Sequence, residues 1–412
     1  TPENIEQIAK ANGVKPLVNM LSGNIVYDAE TQANVATVLA DMTRVDQTHA
    51  KAVAREGGIP NLVKLLATGH TLDAKAEAAS ALGSVAVAHP TEVAAAGAIP
   101  PLMELLKSKN MGAEKQASKA VAGIAAGGQA NQDLIEAAGG IQHLVDLLDS
   151  GRGAYEKSSR PGVYVKEWDV QAHAARALGE LVNCNHRLQV AAADCGGIER
   201  VIKMMMESER DEPTEQAGFA LWRLAFKCHE NQVRIAEAGG VAALVQTVGT
   251  ASDLGQEMAA EALAGLASDN ESNQKDIAEI LIKLLRESSP TGVEREKAAR
   301  AVSRFAFCDG DGDGEADAVE ANQQALFDVG GVELVVSLIE PLHYEEPPLP
   351  TADQVRGKLG AAAEDSEEEE EVVEEEVDPN KGEHHLIHKW LANALWSMSV
   401  KNRVTQIAIA EA

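Results

Sequence analysis

One short pattern, repeated along the chain, constrains the fold more than any other feature of the sequence. It is clearest in Ala54–Leu66, where Gly57 and Gly58 follow a helix-like segment and precede Pro60 and the apolar run that begins at Leu62. Glycine readily adopts the left-handed conformation that ends a helix, and proline is favoured at the first position of the next helix. The stretch therefore predicts a helix, a sharp two-glycine corner and a second helix.

The same pattern occurs eight times, and its first apolar residue stands at positions 17, 62, 102, 144, 201, 244, 281 and 335. The base period is near 42 residues, with local insertions. Repeats of about 40–47 residues are typical of α-helical solenoids. The copy at Ile280–Leu285 lacks the glycines. We expect its first two helices to fuse there, with a local change in the direction of the superhelix.

Each repeat is predicted to hold three helices, of which the third is longer and rich in alanine. Gly83 and Gly123 lie inside such helices, where a glycine costs roughly 1 kcal/mol relative to alanine, so we expect neighbouring helices to approach closely there. Stacked repeats form one continuous structure, which predicts a single solenoid over residues 1–412. The predicted third helices are Ala29–Met42, Ala74–Ala86, Ala113–Ala125, Asp169–Val182, Thr214–Phe226, Gly255–Ala267, Val293–Phe307 and His384–Ser399.

The charge of the chain limits its partners. It carries 64 acidic and 36 basic residues, a formal net charge of −28 at pH 7. Such a chain repels phosphates, so nucleic acid is not expected as a ligand, and basic or apolar partners are favoured. The four cysteines show no disulfide-framework spacing, which indicates a reducing compartment: the cytoplasm, with the nucleus as an alternative. No apolar stretch approaches the roughly 18 residues of a transmembrane helix.

Two insertions interrupt the repeats. Residues 150–166 separate the second and third helices of the fourth repeat and are locally basic; they are predicted to form a surface loop or a partner-binding flap. Residues 341–382 end in a glutamate-rich run that cannot bury enough apolar surface to offset chain entropy, so we predict disorder. This segment is either a solvated spacer or a mimic of an anionic partner. The chain stops just before the next expected glycine pair, so we expect it to be part of a longer solenoid.

Residues 309–320 match the calcium-loop pattern D-x-[DN]-x-[DN]-G-x5-E at every fixed position. Three aspartates at alternate positions can direct oxygens toward one cation, and Gly314 permits the sharp turn. Ala316 stands where paired loops usually have a larger apolar residue, so the alternatives are a calcium site and a solvated acidic loop. The candidate ligands are Asp309, Asp311, Asp313, Glu315, Asp317 and Glu320. No other cofactor is expected to be required.

The pattern Asn-Gln…Ile-Ala-Glu-Ala-Gly-Gly, followed by an apolar run and an alanine-rich helix, resembles the armadillo-repeat family. Residues 231–248 and 54–66 carry the resemblance best. It implies an all-α, right-handed superhelix of about eight three-helix repeats. It also implies a binding platform whose third helices line a concave groove for an extended peptide.

Import adaptors of this family hold their cargo with a ladder of Trp and Asn side chains on the third helices. The equivalent Trp positions in this chain are Thr37, Ser80, Lys119, Arg176, Phe219, Glu261, Arg300 and Asn393. The equivalent Asn positions are Asp41, Ser84, Gly123, Glu180, Arg223, Gly265, Arg304 and Ser397. Neither set holds a Trp, and the single Asn stands in a Trp position, so the ladder is absent.

Basic and aromatic residues cluster at or beside these positions instead. Arg suits carboxylates, and Arg and Trp are enriched where binding energy concentrates, so we hypothesise a groove for an acidic or mixed-charge peptide. The other interpretation is that Phe219 and Trp222 are core residues and that the arginines pair with neighbouring acids. The predicted groove residues are Lys119, Arg176, Phe219, Trp222, Arg223, Arg300, Arg304, Asn393 and Trp396.

The sequence shows no phosphate loop, nucleophile elbow or catalytic cysteine–histidine pattern, so no catalytic residue and no enzymatic activity are predicted. It favours a protein–protein interaction scaffold that binds a peptide or protein partner within a larger assembly. The alternatives are an import-adaptor-like transport factor and a calcium-responsive regulatory adaptor.

Overall fold

The computed structural model describes residues 2–22, 27–149, 155–157, 164–208, 210–250, 252–268, 270–288, 293–307, 316–339 and 379–399. Within these residues the chain folds into 23 helices and two short strands. The helices are α1 (Pro2–Lys10), α2 (Val14–Leu21), α3 (Ala29–Val45), α4 (Gln47–Arg55), α5 (Gly58–Thr68), α6 (Leu72–Ala86), α7 (Pro90–Ala95), α8 (Ile99–Leu106), α9 (Met111–Ala125), α10 (Gln129–Ala137), α11 (Gly140–Leu147), α12 (Glu167–Val182), α13 (His186–Asp194), α14 (Gly197–Glu207), α15 (Asp211–Ala225), α16 (His229–Glu237), α17 (Gly240–Thr250), α18 (Asp253–Ala267), α19 (Glu271–Glu287), α20 (Val293–Phe307), α21 (Ala316–Asp328), α22 (Gly331–Ile339) and α23 (Pro379–Ser399). The strands are β1 (Tyr155–Lys157) and β2 (Tyr164–Lys166).

The helices follow one another in groups with a constant order: a first helix, a corner, a second helix and a longer third helix. From α1 to α18 every group is such a triplet, and α21 to α23 repeat the order at the end of the chain. Strands occur only in the insertion between α11 and α12, so within the described residues the repeats themselves are entirely helical. The predicted all-α solenoid is confirmed.

The two residues of each corner are subject to different constraints. Gly57 and Gly139 have φ angles of +75° and +81°, the left-handed conformation expected for the first position, and Asn12 takes the same role in the first group with φ +55°. The second position is restricted by space instead. A Cβ added to Gly58 would lie 2.5 Å from Cγ1 of Val53 and 2.8 Å from its carbonyl oxygen. The sequence predicts the left-handed conformation at the first position but not the lack of space at the second.

The third helices form the spine of the molecule, since α3, α6, α9, α12, α15 and α18 each pack along the next. A helix that is packed on most sides buries most of its residues, and α6 buries ten of its fifteen residues. Small side chains allow the close approach. A Cβ on Gly123 would lie 3.0 Å from the carbonyl oxygen of Gly83 on the neighbouring helix, which confirms the reason predicted for these glycines.

Amides on the first helices tie successive groups together. On α16, Nδ2 of Asn231 donates to the carbonyl of Leu224 (2.9 Å), at the end of the preceding third helix. Nε2 of Gln232 donates to the carbonyls of Gly265 (3.0 Å) and Ser268 (3.1 Å), at the end of the following one. These carbonyls have no partner within their own helices. The Asn-Gln pair therefore caps two third helices at once.

The regular stack changes at α19. This helix runs without interruption from Glu271 to Glu287, so the predicted fusion of the first two helices is confirmed. The next third helix, α20, packs more extensively on α17 than on α18. The predicted change in the direction of the superhelix stays a prediction, and this offset supports it.

The two predicted insertions are described only in part. In 150–166, β1 and β2 pair antiparallel, with Tyr155 opposite Lys166, and β2 contacts α9 and α12. Residues 341–378 lie outside the described residues. Helix α23 begins at Pro379, inside the predicted insertion and before the predicted helix start at His384. Among the helices described, none is long and apolar enough to cross a membrane.

Candidate functional site

A groove runs across five successive third helices, from α3 to α15. It encloses a cavity of about 380 Å³. The lining includes six of the positions equivalent to the Trp and Asn ladder: Ser80, Ser84, Lys119, Gly123, Arg176 and Glu180. The six positions that the alignment of the alanine-rich helices makes equivalent therefore lie along one cavity.

The floor of the groove is made of small residues on α6 and α9. Gly83, Gly123 and Ala122 line the cavity, and a Cβ on either glycine would meet backbone atoms of the neighbouring helix at 3.0–3.1 Å. Ser84 adds a hydroxyl group, which donates to the carbonyl of Ser80 (3.3 Å). Only small side chains therefore cover the floor, which leaves the groove open to the side chains of a ligand.

Charged side chains stand around this floor. Arg176 pairs with Glu180 on the same helix (Nη2 to Oε1, 3.1 Å), and Arg44 pairs with Asp41. Lys119, by contrast, has no ion pair with any residue that the structure describes. Its pKa is lowered because the groove walls partly remove the side chain from water and because Lys115 and Arg44 are nearby. Glu212, which lines the same cavity, acts in the opposite direction and raises the pKa of Lys119.

His173 on α12 lies in the same cavity and is the most perturbed group of the site. Its side chain is only 15% exposed, and Nδ1 stands 3.7 Å from Oε1 of Glu212. Burial, together with Lys115, Lys119 and Arg176, lowers the pKa of His173 to about 3 against the opposing effect of Asp169. The imidazole is therefore neutral at pH 7, and the field around it is positive although the whole chain carries a net charge of −28.

Next to the cavity, aromatic rings hold two arginines in place. Phe219 is 7% exposed and lies under the guanidinium groups of Arg176 and Arg223, each 5.1 Å from its centroid. Arg223 also lies 4.0 Å above the ring of Trp222 and donates to Oδ1 of Asn183 (3.1 Å). Burial lowers the pKa of Arg223. Phe219 is thus a packing residue whose face orients two cations, as cation–π contacts allow.

The remaining predicted groove residues lie on α20 and α23, outside this cavity. Arg300 is paired with Glu296 (3.0 Å) and Asp253 (3.3 Å), and its guanidinium lies 4.7 Å from the ring of Trp390. Nη1 of Arg304 is buried without a partner among the described residues. Asn393 is half-buried and Trp396 is 59% exposed. The nine predicted residues therefore fall into two regions rather than one stripe.

The predicted calcium loop is mostly outside the described residues. This applies to Asp309, Asp311, Asp313 and Glu315. Asp317 and Glu320 lie on α21, which begins at Ala316, and Glu320 is exposed. Calcium binding stays a prediction.

Three titratable residues of the cavity were missed from the sequence: Arg44, His173 and Glu212. His173 precedes the ladder position Arg176 by three residues, and Arg44 follows Asp41 by three. Residues three apart share one face of a helix. A search that included the residues one helical turn from each ladder position would have found Arg44 and His173.

Comparisons with known proteins identify the repeat. The family model of the armadillo/beta-catenin-like repeat matches residues 1–44. An engineered protein of known crystal structure is 30% identical, covers 62% of this chain and 96% of its own, and superposes with a TM-score of 0.52. A second engineered protein is 27% identical over 97% of this chain and 91% of its own, with a TM-score of 0.59. A search of curated proteins found no match.

A designed armadillo repeat protein, whose structure was solved in complex with the peptide (KR)4, is 22% identical. It covers 61% of this chain and 99% of its own, with a TM-score of 0.50. At this level of identity the likeness concerns the fold alone.

Proposed function

Because the chain belongs to the armadillo-repeat family, we propose that it is a non-enzymatic scaffold that holds an extended polypeptide in the groove across α3, α6, α9, α12 and α15. The observation that carries this proposal is the line of ladder-equivalent positions along one cavity, Ser80 and Ser84 on α6, Lys119 on α9 and Arg176 on α12. The three central third helices, α6, α9 and α12, thus present the same face to the same groove. A ligand that follows the groove meets one set of side chains per repeat.

The dimensions of the groove suit an extended segment. Packed helices lie about 8–10 Å apart, so the four spacings between five third helices span roughly 32–40 Å. An extended chain advances about 3.3–3.6 Å per residue, so a segment of about ten to twelve residues would cross all five helices.

An unpaired polar atom in the groove wall supports the proposal of a peptide ligand. Oε1 of Gln216, which lines the cavity, is buried without a hydrogen-bond partner among the described residues. Leaving a buried acceptor unpaired costs about 1–3 kcal/mol. A peptide N–H that donates to this oxygen would recover that free energy on binding.

The designed armadillo protein binds the basic peptide (KR)4. The groove of the present chain carries Lys119 and Arg176 at ladder-equivalent positions. Cations at these positions disfavour a basic ligand, so an import-adaptor-like role for basic cargo is the weaker alternative. A protein partner within a larger assembly fits the scaffold role.

Selection of peptides on the whole chain tests the proposal. Random peptides of about twelve residues are displayed, those that bind are recovered, and their affinities are measured for two variants. Ser84→Tyr fills the groove floor, whereas Val233→Tyr adds the same ring at a surface residue that is 37% exposed on α16. We expect Ser84→Tyr to weaken binding about tenfold or more and Val233→Tyr to leave it unchanged. Failure to select any peptide, or equal binding by both variants, contradicts the groove function.

A further inference from the structure

We propose that Arg304 and Trp396 form a second binding site, outside the cavity described above, for an extended polypeptide that carries an acidic and an apolar residue two positions apart. The site lies where α20 packs along α23. Neither residue lines the cavity across α3 to α15, so the proposal goes beyond the groove function and does not depend on it.

Two contacts fix how α20 and α23 face each other. The guanidinium of Arg300 lies 4.7 Å from the ring of Trp390, and the buried hydroxyl groups of Ser303 and Ser397 lie 2.9 Å apart. The numbers of the contacting residues increase together along the two helices. Helices α20 and α23 therefore run parallel, with Ser303 and Ser397 between them.

Arg304 and Trp396 stand on the same side of this contact. Arg304 follows Ser303 on α20, and successive residues of a helix are turned by about 100°. Trp396 precedes Ser397 on α23, so it is turned by the same angle in the opposite sense. Opposite turns on two parallel helices that face each other lead to one side of the pair. Trp396 is 59% exposed, so this side faces solvent.

The charge of Arg304 is not compensated by the residues that the structure describes. Arg300, one turn earlier, is paired with Glu296 and Asp253, whereas Arg304 has no ion pair among these residues, and its Nη1 is buried without a hydrogen-bond partner. The side chain is half-buried, so part of it still contacts solvent. A charge partly removed from water is unfavourable unless it is paired, and a carboxylate suits a guanidinium in shape and charge. A ligand carboxylate would supply the missing counter-charge.

Trp396 offers the second contact. Its exposed ring can bury an apolar side chain of a ligand, and Trp and Arg are the residue types at which binding energy concentrates. The formal net charge of −28 does not exclude an acidic ligand, because charges more than about 8 Å away are largely screened at physiological ionic strength. The nearest charge, that of Arg304, therefore decides.

The distance between the helices sets the spacing in the ligand. Packed helices lie about 8–10 Å apart. Side chains two positions apart on an extended chain point to the same side and lie about 6.6–6.8 Å apart, whereas adjacent side chains point to opposite sides. An acidic and an apolar residue two positions apart can therefore reach Arg304 and Trp396 together.

Two blocked peptides of identical composition test this spacing on the full chain by calorimetry. When extended, (Glu-Ser-Leu-Ser)3 carries Glu and Leu on one side, whereas (Glu-Leu-Ser-Ser)3 carries them on opposite sides. We expect the first peptide to bind about fivefold or more tightly than the second, and (Lys-Ser-Leu-Ser)3 to bind still more weakly. Equal affinities of the two glutamate peptides overturn the proposal.

A pair of arginine variants tests the charge. We expect Arg304→Gln to weaken the binding of (Glu-Ser-Leu-Ser)3 about tenfold. The matched control Arg286→Gln removes an exposed arginine of α19 and should change the affinity less than about twofold. Equal effects of the two variants overturn the site. We expect Ser84→Tyr, which fills the groove floor, to leave this affinity unchanged. Loss of binding in Ser84→Tyr would place the peptide in the groove and contradict a second site.

Tryptophan fluorescence gives a readout that a purely structural role would not move. Burial of Trp396 by the leucine of (Glu-Ser-Leu-Ser)3 should shift the emission to shorter wavelength, and Trp396→Phe should abolish the shift. An unshifted emission in the saturated complex overturns the proposal. If the peptide binds only after the glutamate-rich run within 364–378 is replaced by a neutral linker, that run is the occupant and a separate partner is ruled out.

Discussion

Nε2 of Gln232 donates to the backbone carbonyl of Gly265 at 3.0 Å, a contact between the first helix of one repeat and the third helix that follows it. The same nitrogen lies 3.1 Å from the carbonyl of Ser268. Gln232 is 2% exposed, so water cannot replace it. One amide thus satisfies the end of α18 while it fixes the position of α16.

Gln232→Ala should therefore loosen α18 more than α16. Loss of the amide leaves buried carbonyls unpaired, which costs about 1–3 kcal/mol. Hydrogen exchange measured by mass spectrometry should show faster exchange at the C-terminal end of α18. Glu237→Ala, at an exposed position at the end of α16, is the control and should leave the exchange unchanged. Equal exchange in wild type and Gln232→Ala would remove the capping role.

The two glycines of a corner should respond differently to substitution. Gly57 has φ +75° and nothing within 4 Å of an added Cβ, and Asn12 occupies the equivalent position of the first corner. Gly57→Asn should cost less than about 1 kcal/mol. Gly58→Ala forces a Cβ against Val53 and should cost about 1–3 kcal/mol. Melting temperatures of the two variants check this order, and a larger loss for Gly57→Asn would contradict it.

The stability of the protein should depend on pH through His173. The unfolded chain protonates this residue below its ordinary pKa of 6.5, whereas the folded chain does so only near 3. Between these values the unfolded state binds more protons, so stability falls as the pH decreases, by at most about 1.4 kcal/mol per pH unit. Melting temperatures at pH 7 and pH 5 should fall less for His173→Gln than for wild type. An identical fall in both proteins would show that His173 titrates normally.

Calcium binding at 309–320 is predicted from the sequence and is open to a direct measurement. Three aspartates, Glu315 and Glu320 supply the oxygen ligands that Ca²⁺ prefers. Calorimetry on the chelator-treated protein should show binding that the double variant Asp311→Asn, Glu320→Gln abolishes. Asp328→Asn, eight residues beyond the motif, is the control and should bind as wild type does. Absence of calcium heat at about millimolar concentration rules the site out.

The parts of the structure that were predictable depend on local sequence. Corners such as Gly57-Gly58 require only the conformation of adjacent residues, and the groove positions Ser84 and Lys119 follow from the period of the third helices. The caps made by Gln232 and the neutral state of His173 were not predictable. Each depends on groups distant in the sequence: the Gly265 carbonyl at the end of α18 in one case, and burial together with Lys115 and Lys119 of the preceding repeat in the other. The stacking of the helices, rather than the local sequence, decides which carbonyl or charge lies beside these two side chains.

Site-specific photo-crosslinking tests the groove most directly. A benzophenone side chain is placed either at Ala126, an exposed residue that lines the cavity, or at Leu134, 53% exposed on the first helix α10. Each protein is irradiated with a peptide selected on the wild-type chain, and the products are mapped by mass spectrometry. We expect crosslinks from Ala126 and none from Leu134. Crosslinks from Leu134 alone would place the ligand on another surface and contradict the proposed function.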